Sequence, residues 1–133
     1  MILIDGKETA RAIREELRAE VDQARARGRR APGLAVILVG ADPASEVYVR
    51  NKERACADTG ILSFPYHLPA GTGQHELLAL IHECNLRPDV DGILLQLPLP
   101  EGLDAQACLL AIDPAKDVDG FHPENVGRLS LGL

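Results

Sequence analysis

Residues 34–39 read Leu-Ala-Val-Ile-Leu-Val, an unbroken apolar run with Gly33 before it and Gly40 behind. The run is too short for a core helix, is rich in β-branched side chains and shows no polar alternation. Those properties describe a strand buried on both faces, which occurs where helices cover the two sides of a parallel sheet. The residues after Gly40 fit the same architecture. Asp42 is placed to cap a helix, Pro43 suits its first turn and Gly60 its end, so a helix is predicted over 43–59.

The pattern repeats downstream. Residues 61–68 (ILSFPYHL) suggest a second strand, which Pro65 demotes toward a sheet edge or a shorter element. A Gly-Thr-Gly turn at 71–73 leads to a helix at 74–86. Residues 92–97 (GILLQL) form a third strand with a Pro-rich exit through Pro98 and Pro100. A short helix is expected at 104–111, then the loop PAKDVDGFHP, then a helical stretch near 123–130. Upstream, Ala10, Ile13, Leu17, Val21 and Ala24 give residues 7–28 the spacing of an amphipathic helix. Arg25, Arg27, Arg29 and Arg30 crowd its end, where cations suit the helix dipole, and read as a solvated cap. Three strand–helix repeats with long crossovers give an α/β fold, a three-layer αβα sandwich with a small, mostly parallel sheet. At 133 residues the chain is expected to be one domain.

Composition removes several classes of function. Fourteen Lys and Arg against twenty Asp and Glu leave a net charge of −6, which argues against a nucleic-acid partner. The apolar runs are far too short for a transmembrane helix, and Asp5 and Lys7 break any leader-like start, so a cytoplasmic protein with no membrane partner is expected. Cys56, Cys84 and Cys108 are widely spaced and lack a C-x-x-C pair, so they read as buried small hydrophobes. Gly71-Thr72-Gly73 lacks the third glycine of a dinucleotide fingerprint.

Ligands of open α/β sheets bind beyond the carboxyl ends of the strands, which points to segments 40–52, 96–100 and 116–122. On the helix over 43–59, Ser45, Tyr48, Lys52 and Cys56 fall within about 80° of one another, with Val49 beside them. Lys52 therefore shares a side expected to face protein or a cleft, where partial burial would favour its neutral amine. It reads equally as an acid/base group or as a snorkelling side chain. Gln96 interrupts an apolar run and must find partners: a ligand, Lys52, or local backbone. Asp117-Val118-Asp119-Gly120 reads most simply as a turn capping the next helix, with a metal site or phosphatase pair as the alternative. His67, His75, His82 and His122 lack ligand-like spacing, and no metal site is assigned.

Taken together, Tyr48-Val49-x-x-Lys52 within VGADPASEVYVRNKERAC, DGILLQLPLP at 91–100 and PAKDVDGFHPENVGRL at 114–129 closely resemble one family. It is the bifunctional methylenetetrahydrofolate dehydrogenase/methenyltetrahydrofolate cyclohydrolase family, and IDGK at 4–7 fits it too. The resemblance runs through essentially the whole chain. It implies that Lys52 is the catalytic lysine for hydrolysis of the 5,10-methenyl bridge and assists the preceding oxidation. Tyr48 would lie against the folate rings and position Lys52, while Gln96 would hydrogen-bond and tune it. Asp119 would anchor the pterin, Leu95 and Leu97 would contribute backbone contacts, and Ser45 would lie nearby.

Glu46 departs from the family's tyrosine motif. The resemblance also implies a P-C-T-P segment, a dinucleotide-binding domain and a returning C-terminal helix, none of which lies within residues 1–133. The expectation is therefore an N-terminal folate-binding catalytic domain spanning 1–133. The apolar tail from Leu129 to Leu133 suggests a chain cut from a longer one. The C-terminal domain would hold NADP or NAD, with no cofactor site on this chain. The implied partners are tetrahydrofolate derivatives. The full-length protein would be a homodimer, with the oligomeric state of this chain alone left open. A non-catalytic folate-binding module and a Mg-dependent phosphatase-like domain are the alternatives.

Overall fold

Alternate side chains of the 34–39 run divide between two cores, and the rest of the molecule is arranged about that division. A computed structural model describes residues 5–133, so the 4–7 motif begins at Ile4, outside the described residues. The elements are α1 (Gly6–Ala26), β1 (Gly33–Val39), α2 (Pro43–Thr59), β2 (Leu62–Leu68), α3 (Gln74–Leu86), β3 (Gly92–Leu95), α4 (Ala105–Ala111) and α5 (Pro123–Leu131). β1 is central and pairs in parallel with both neighbours, giving the order β2-β1-β3.

Ala35, Ile37 and Val39 join Leu77, Ile81 and Cys84 of α3 and Cys108 of α4 in the larger core. Val36 and Leu38 turn the other way and meet Val49 of α2 and Leu94 of β3. Full burial of side chains this size contributes about 1.5–3 kcal/mol each. The passage from β1 to β2 carries α2 across one face. The passage from β2 to β3 runs back over β1 and carries α3 across the opposite face. Right-handed crossovers running in opposite directions place their helices on opposite faces, which produces the three layers.

Local signals in the sequence fix the element ends. Asp42 caps α2 by accepting the Ser45 N–H at 2.8 Å, and Gly60 ends it at φ +78°. Pro65 lies on β2, at the sheet edge as expected. α1 packs on α2 through its C-terminal half: Val21 is buried, whereas Ile13 and Leu17 of the same stripe stay substantially exposed.

Two expectations need correction. The third strand ends at Leu95, not at 97, although the Gln96 N–H still donates to Ile37 O at 2.9 Å. The Leu97–Pro98 peptide just beyond it is cis. Arg30 is more than a solvated cap. It grips Asp91 through two bonds of 2.6 and 2.8 Å and donates to Pro88 O, while Asp91 accepts the Gly33 N–H. That grip holds the Asp91 carboxyl below its ordinary range and ties the start of β1 to the start of β3. All three cysteines are free and buried, and burial pushes their thiols up. No helix among the described residues is long and apolar enough to cross a membrane.

Candidate active site

At the carboxyl end of the sheet the chain leaves β1 toward α2 on one face and leaves β3 toward α4 on the other. Neighbouring strands whose exits diverge open a crevice between them, the usual ligand position in such sheets. Lys52 on α2 and Gln96 at the end of β3 meet across it. Lys52 Nζ donates to Gln96 Oε1 at 3.0 Å, and Gln96 Nε2 donates to Leu97 O at 2.6 Å. Two of the partners considered for Gln96 are thus occupied together, the lysine and the local backbone. With its Nε2 donor engaged by Leu97, the amide presents its oxygen to Lys52. Both side chains are half-buried.

The loop from 114 to 122 forms the third wall. Ile93 bridges Asp117 in parallel and donates to Lys116 O at 2.7 Å, so residues 116–117 lie along the outer edge of β3. Lys116 Nζ is spent on three carbonyls at the end of α3: Cys84, Asn85 and Arg87. Asp117 closes a turn by accepting the Gly120 and His122 N–H groups and Asn125 Nδ2. Its two oxygens are thereby engaged in structure, which favours the turn reading and removes it as a phosphatase nucleophile. Burial alone would raise the Asp117 carboxyl, but the Asn125 amide and the backbone N–H groups outweigh it and hold the group below its ordinary value.

Asp119 stands at the apex of this turn. The residue is exposed overall, yet neighbouring chain desolvates its carboxyl enough to raise it above its ordinary value. The Lys52 charge acts against that rise and Asp117 adds to it, so Lys52 and Asp119 sense each other across the crevice.

The signs of these two shifts are opposite. Asp117, depressed in the fold, contributes stability above the unfolded-state carboxylate value of about 4, and loses it as pH falls through its lower folded value. Asp119, raised in the fold, costs stability when ionised, and that cost disappears as pH falls. Asp117→Asn is therefore expected to destabilise the chain by about 2 kcal/mol near neutral pH and to flatten the acid limb of its stability curve. Asp119→Asn is expected to raise the melting temperature near neutral pH. Thermal melts between pH 3 and 8 would check both.

The other expected residues distribute unevenly. Leu95 is buried in the larger core, so its backbone alone can reach a ligand. Leu97 already accepts from Gln96 through its carbonyl, which leaves one lone pair. Tyr48 does not face protein, because the residue is 61% exposed, one helical turn before Lys52. The buried stripe of α2 runs through Ser45, Val49 and Cys56, and Tyr48 lies at its margin. Ser45 is buried in the helix cap beside Asp42 and does not open onto the crevice. His122 caps α5, its Nδ1 accepting the Glu124 N–H at 3.2 Å. The parts played by Asn125 and Lys116 were not foreseen from the sequence. An Asn inside the first turn of a helix, where it favours side-chain bonding to nearby loops, was the available signal for the former.

The β1–α2 turn, where a dinucleotide phosphate would approach a helix N-terminus, does not fit one. The Asp42 carboxylate already occupies that terminus, and Pro43 supplies no N–H there.

Residues 4–119 match the family described as tetrahydrofolate dehydrogenase/cyclohydrolase, catalytic domain. A curated relative from Desulfovibrio desulfuricans, named bifunctional protein FolD, is 80% identical over all 133 residues, which make up 47% of its own length. One from Aquifex aeolicus with the same name is 54% identical over 96% of the chain and 44% of its own length. The chain thus spans about half the length of these relatives. Among solved structures, the bifunctional FolD methylenetetrahydrofolate dehydrogenase/cyclohydrolase of Campylobacter jejuni superposes with a TM-score of 0.96 at 49% identity. It covers the whole chain and 47% of the neighbour. The Trypanosoma brucei methylenetetrahydrofolate dehydrogenase-cyclohydrolase, complexed with NADP cofactor and inhibitor, gives 0.91 at 40% identity over 96% of this chain and 43% of its own. With the sheet, its switch-point crevice and the sequence match in agreement, the chain belongs to the catalytic-domain family of tetrahydrofolate dehydrogenase/cyclohydrolases.

Proposed function

We propose that this chain is the folate-binding catalytic half of a cytoplasmic, homodimeric enzyme of one-carbon metabolism. That enzyme oxidises 5,10-methylenetetrahydrofolate with NADP or NAD and hydrolyses the 5,10-methenyl product to 10-formyltetrahydrofolate. The observation that carries the reading is the Lys52–Gln96 pair at the switch-point crevice. The dinucleotide would accept the hydride when bound. The misfit at the β1–α2 turn supports a site for it outside these residues, in the part of the relatives that this chain does not span.

The residues present account for the hydrolytic step. A flat pterin lying against the exposed Tyr48 ring would bring its methenyl carbon to the crevice, with Asp119 accepting from the ring N–H and amino group. Lys52 takes a proton from water as its oxygen bonds to the methenyl carbon. The resulting ammonium returns a proton to N5 as the carbon–N5 bond breaks, leaving the formyl group on N10 and releasing one proton overall. Gln96 Oε1 accepts from Nζ, which aims the remaining amine valence at the ligand.

The test is to mix this chain with 5,10-methenyltetrahydrofolate and follow the loss of its absorbance. Hydrolysis above the buffer rate, abolished by Lys52→Met, supports the reading. Tight ligand binding with no turnover, also seen when the dinucleotide-binding half is restored, would favour the non-catalytic module.

A further inference from the structure

Asn125, on the first turn of α5, holds the loop that presents Asp119. Its Nδ2 donates at 2.9 Å to Pro114 O, where the loop begins, and at 2.9 Å to Asp117 Oδ2 in its middle. Asp117 is fixed independently on its other side, by the bridge to Ile93 and by the bond from Ile93 N to Lys116 O. From that anchor its carboxylate reaches forward to the Gly120 N–H at 3.1 Å and the His122 N–H at 2.9 Å. Gly120 has φ +69°, a left-handed turn that reverses the chain just after Asp119. Asp119 is therefore enclosed between two positions, 117 and 120, joined to each other by a hydrogen bond. Its own carboxylate has no structural duty in that network. It accepts no hydrogen bond from the loop and senses the Lys52 charge across the crevice.

A side chain on an exposed loop apex would sample many rotamers and backbone positions. One carboxylate that must accept two donors of a flat heterocycle at once needs a fixed plane and distance. We propose that Asn125 and Asp117 form a positioning clasp that sets Asp119 for bidentate recognition of an N–H/NH₂ edge. The pair thereby determines selectivity for 2-amino-4-oxo pterins over rings lacking the 2-amino group. This rests on the reading of Asp119 as the pterin anchor. Asn125 and Asp117 touch no ligand themselves and act through Asp119. The two Asn125 bonds span the loop like a crossbar, so loss of either partner releases the apex without disturbing β1 or the cores.

Calorimetric binding of folic acid and of its 2-desamino analogue to this chain tests the idea. Asp119→Ala is expected to weaken folic acid about 10-fold or more and the analogue about twofold or less. Asn125→Ala is expected to produce the same selective loss, and the double variant to fall within about twofold of either single one. In the hydrolysis assay Asn125→Ala should raise KM and leave kcat within about twofold. Asn125→Asp keeps the shape but replaces a donor with a charge facing Asp117. It should lose the same selectivity, and it serves if the alanine variant folds poorly. Equal weakening of both ligands, or additive losses in the double variant, overturns the clasp. Loss of folic acid binding in Asp119→Ala with none in Asn125→Ala overturns the positioning role alone. Unchanged folic acid binding in Asp119→Ala overturns the reading of the site on which the clasp depends.

Discussion

Replacing Lys52 with methionine is expected to slow hydrolysis of the methenyl bridge by about 100-fold or more, the usual worth of a positioned acid/base group. Methionine preserves the length and apolar stem of the side chain, so the melting temperature should change little. Gln96 keeps its bond to Leu97 O and turns its free oxygen to the crevice. Lys52→Arg separates two roles that methionine removes together. Arginine retains the positive charge but stays protonated in proteins, so it can hold an anion and cannot serve as a base. Both variants should therefore lose turnover, while ligand affinity survives better in the arginine variant. Full activity in Lys52→Arg would show that charge, not proton transfer, is what the crevice needs. The other lysines give useful contrast. Lys116 is held by three backbone carbonyls and Lys7 lies exposed in the first turn of α1, so neither can substitute.

The largest loss of stability is expected from Gly33→Ala. Gly33 opens the central strand, and a Cβ built on it would sit 2.0 Å from Asp89 O and 2.7 Å from the Phe64 ring. A ring can swing, but a backbone carbonyl can move only with its chain. That chain is the turn that Arg30 and Asp91 clamp to Gly33 itself. Relief of the clash would pull the start of β1 from β3 or break the Asp91–Gly33 bond. Overpacking against backbone costs about 3 kcal/mol, which for a domain of this size lowers the melting temperature by roughly 10 °C. Thermal melts with circular dichroism would read this directly, and an unchanged melting temperature would contradict the described geometry. Gly92→Ala is a useful comparison. There the nearest obstacle, at 2.5 Å, is a Val118 methyl, which is side chain on a partly exposed loop, so a smaller loss is expected.

The sequence made the fold legible where one residue type had one physical job. Asp42, Pro43 and Gly60 framed α2 because a cap, a first-turn ring and a left-handed end each admit few residues. The run at 34–39 announced a strand covered on both faces, and the cover is there. The Lys52–Gln96 meeting was foreseen as one of several partners for a buried amide. Distance alone could select it, because the two lie 44 residues apart. Tyr48 and Ser45 were harder. Both lie on the same arc of α2 as Lys52, but the arc spans the boundary between core and cleft. Which margin is buried depends on how the helix rolls on β1 and on where α1 covers it. The end of β3 was misjudged for a similar reason. Leu97 continues the apolar pattern although β3 ends before it. Asn125 escaped notice because its bonds reach back 8 and 11 residues into a loop with no periodicity to read.

The two borders of the small sheet are closed by different means, and this bears on how the protein behaves when crowded. Exposed strand borders invite pairing with another molecule, and a three-stranded sheet has proportionally more border than interior. On the β2 side Pro65 interrupts the row of donors, and on the β3 side the 116–117 segment covers the start of the strand. Together they free the surface loops at the carboxyl end to vary for ligand recognition without the sheet itself becoming a template for aggregation.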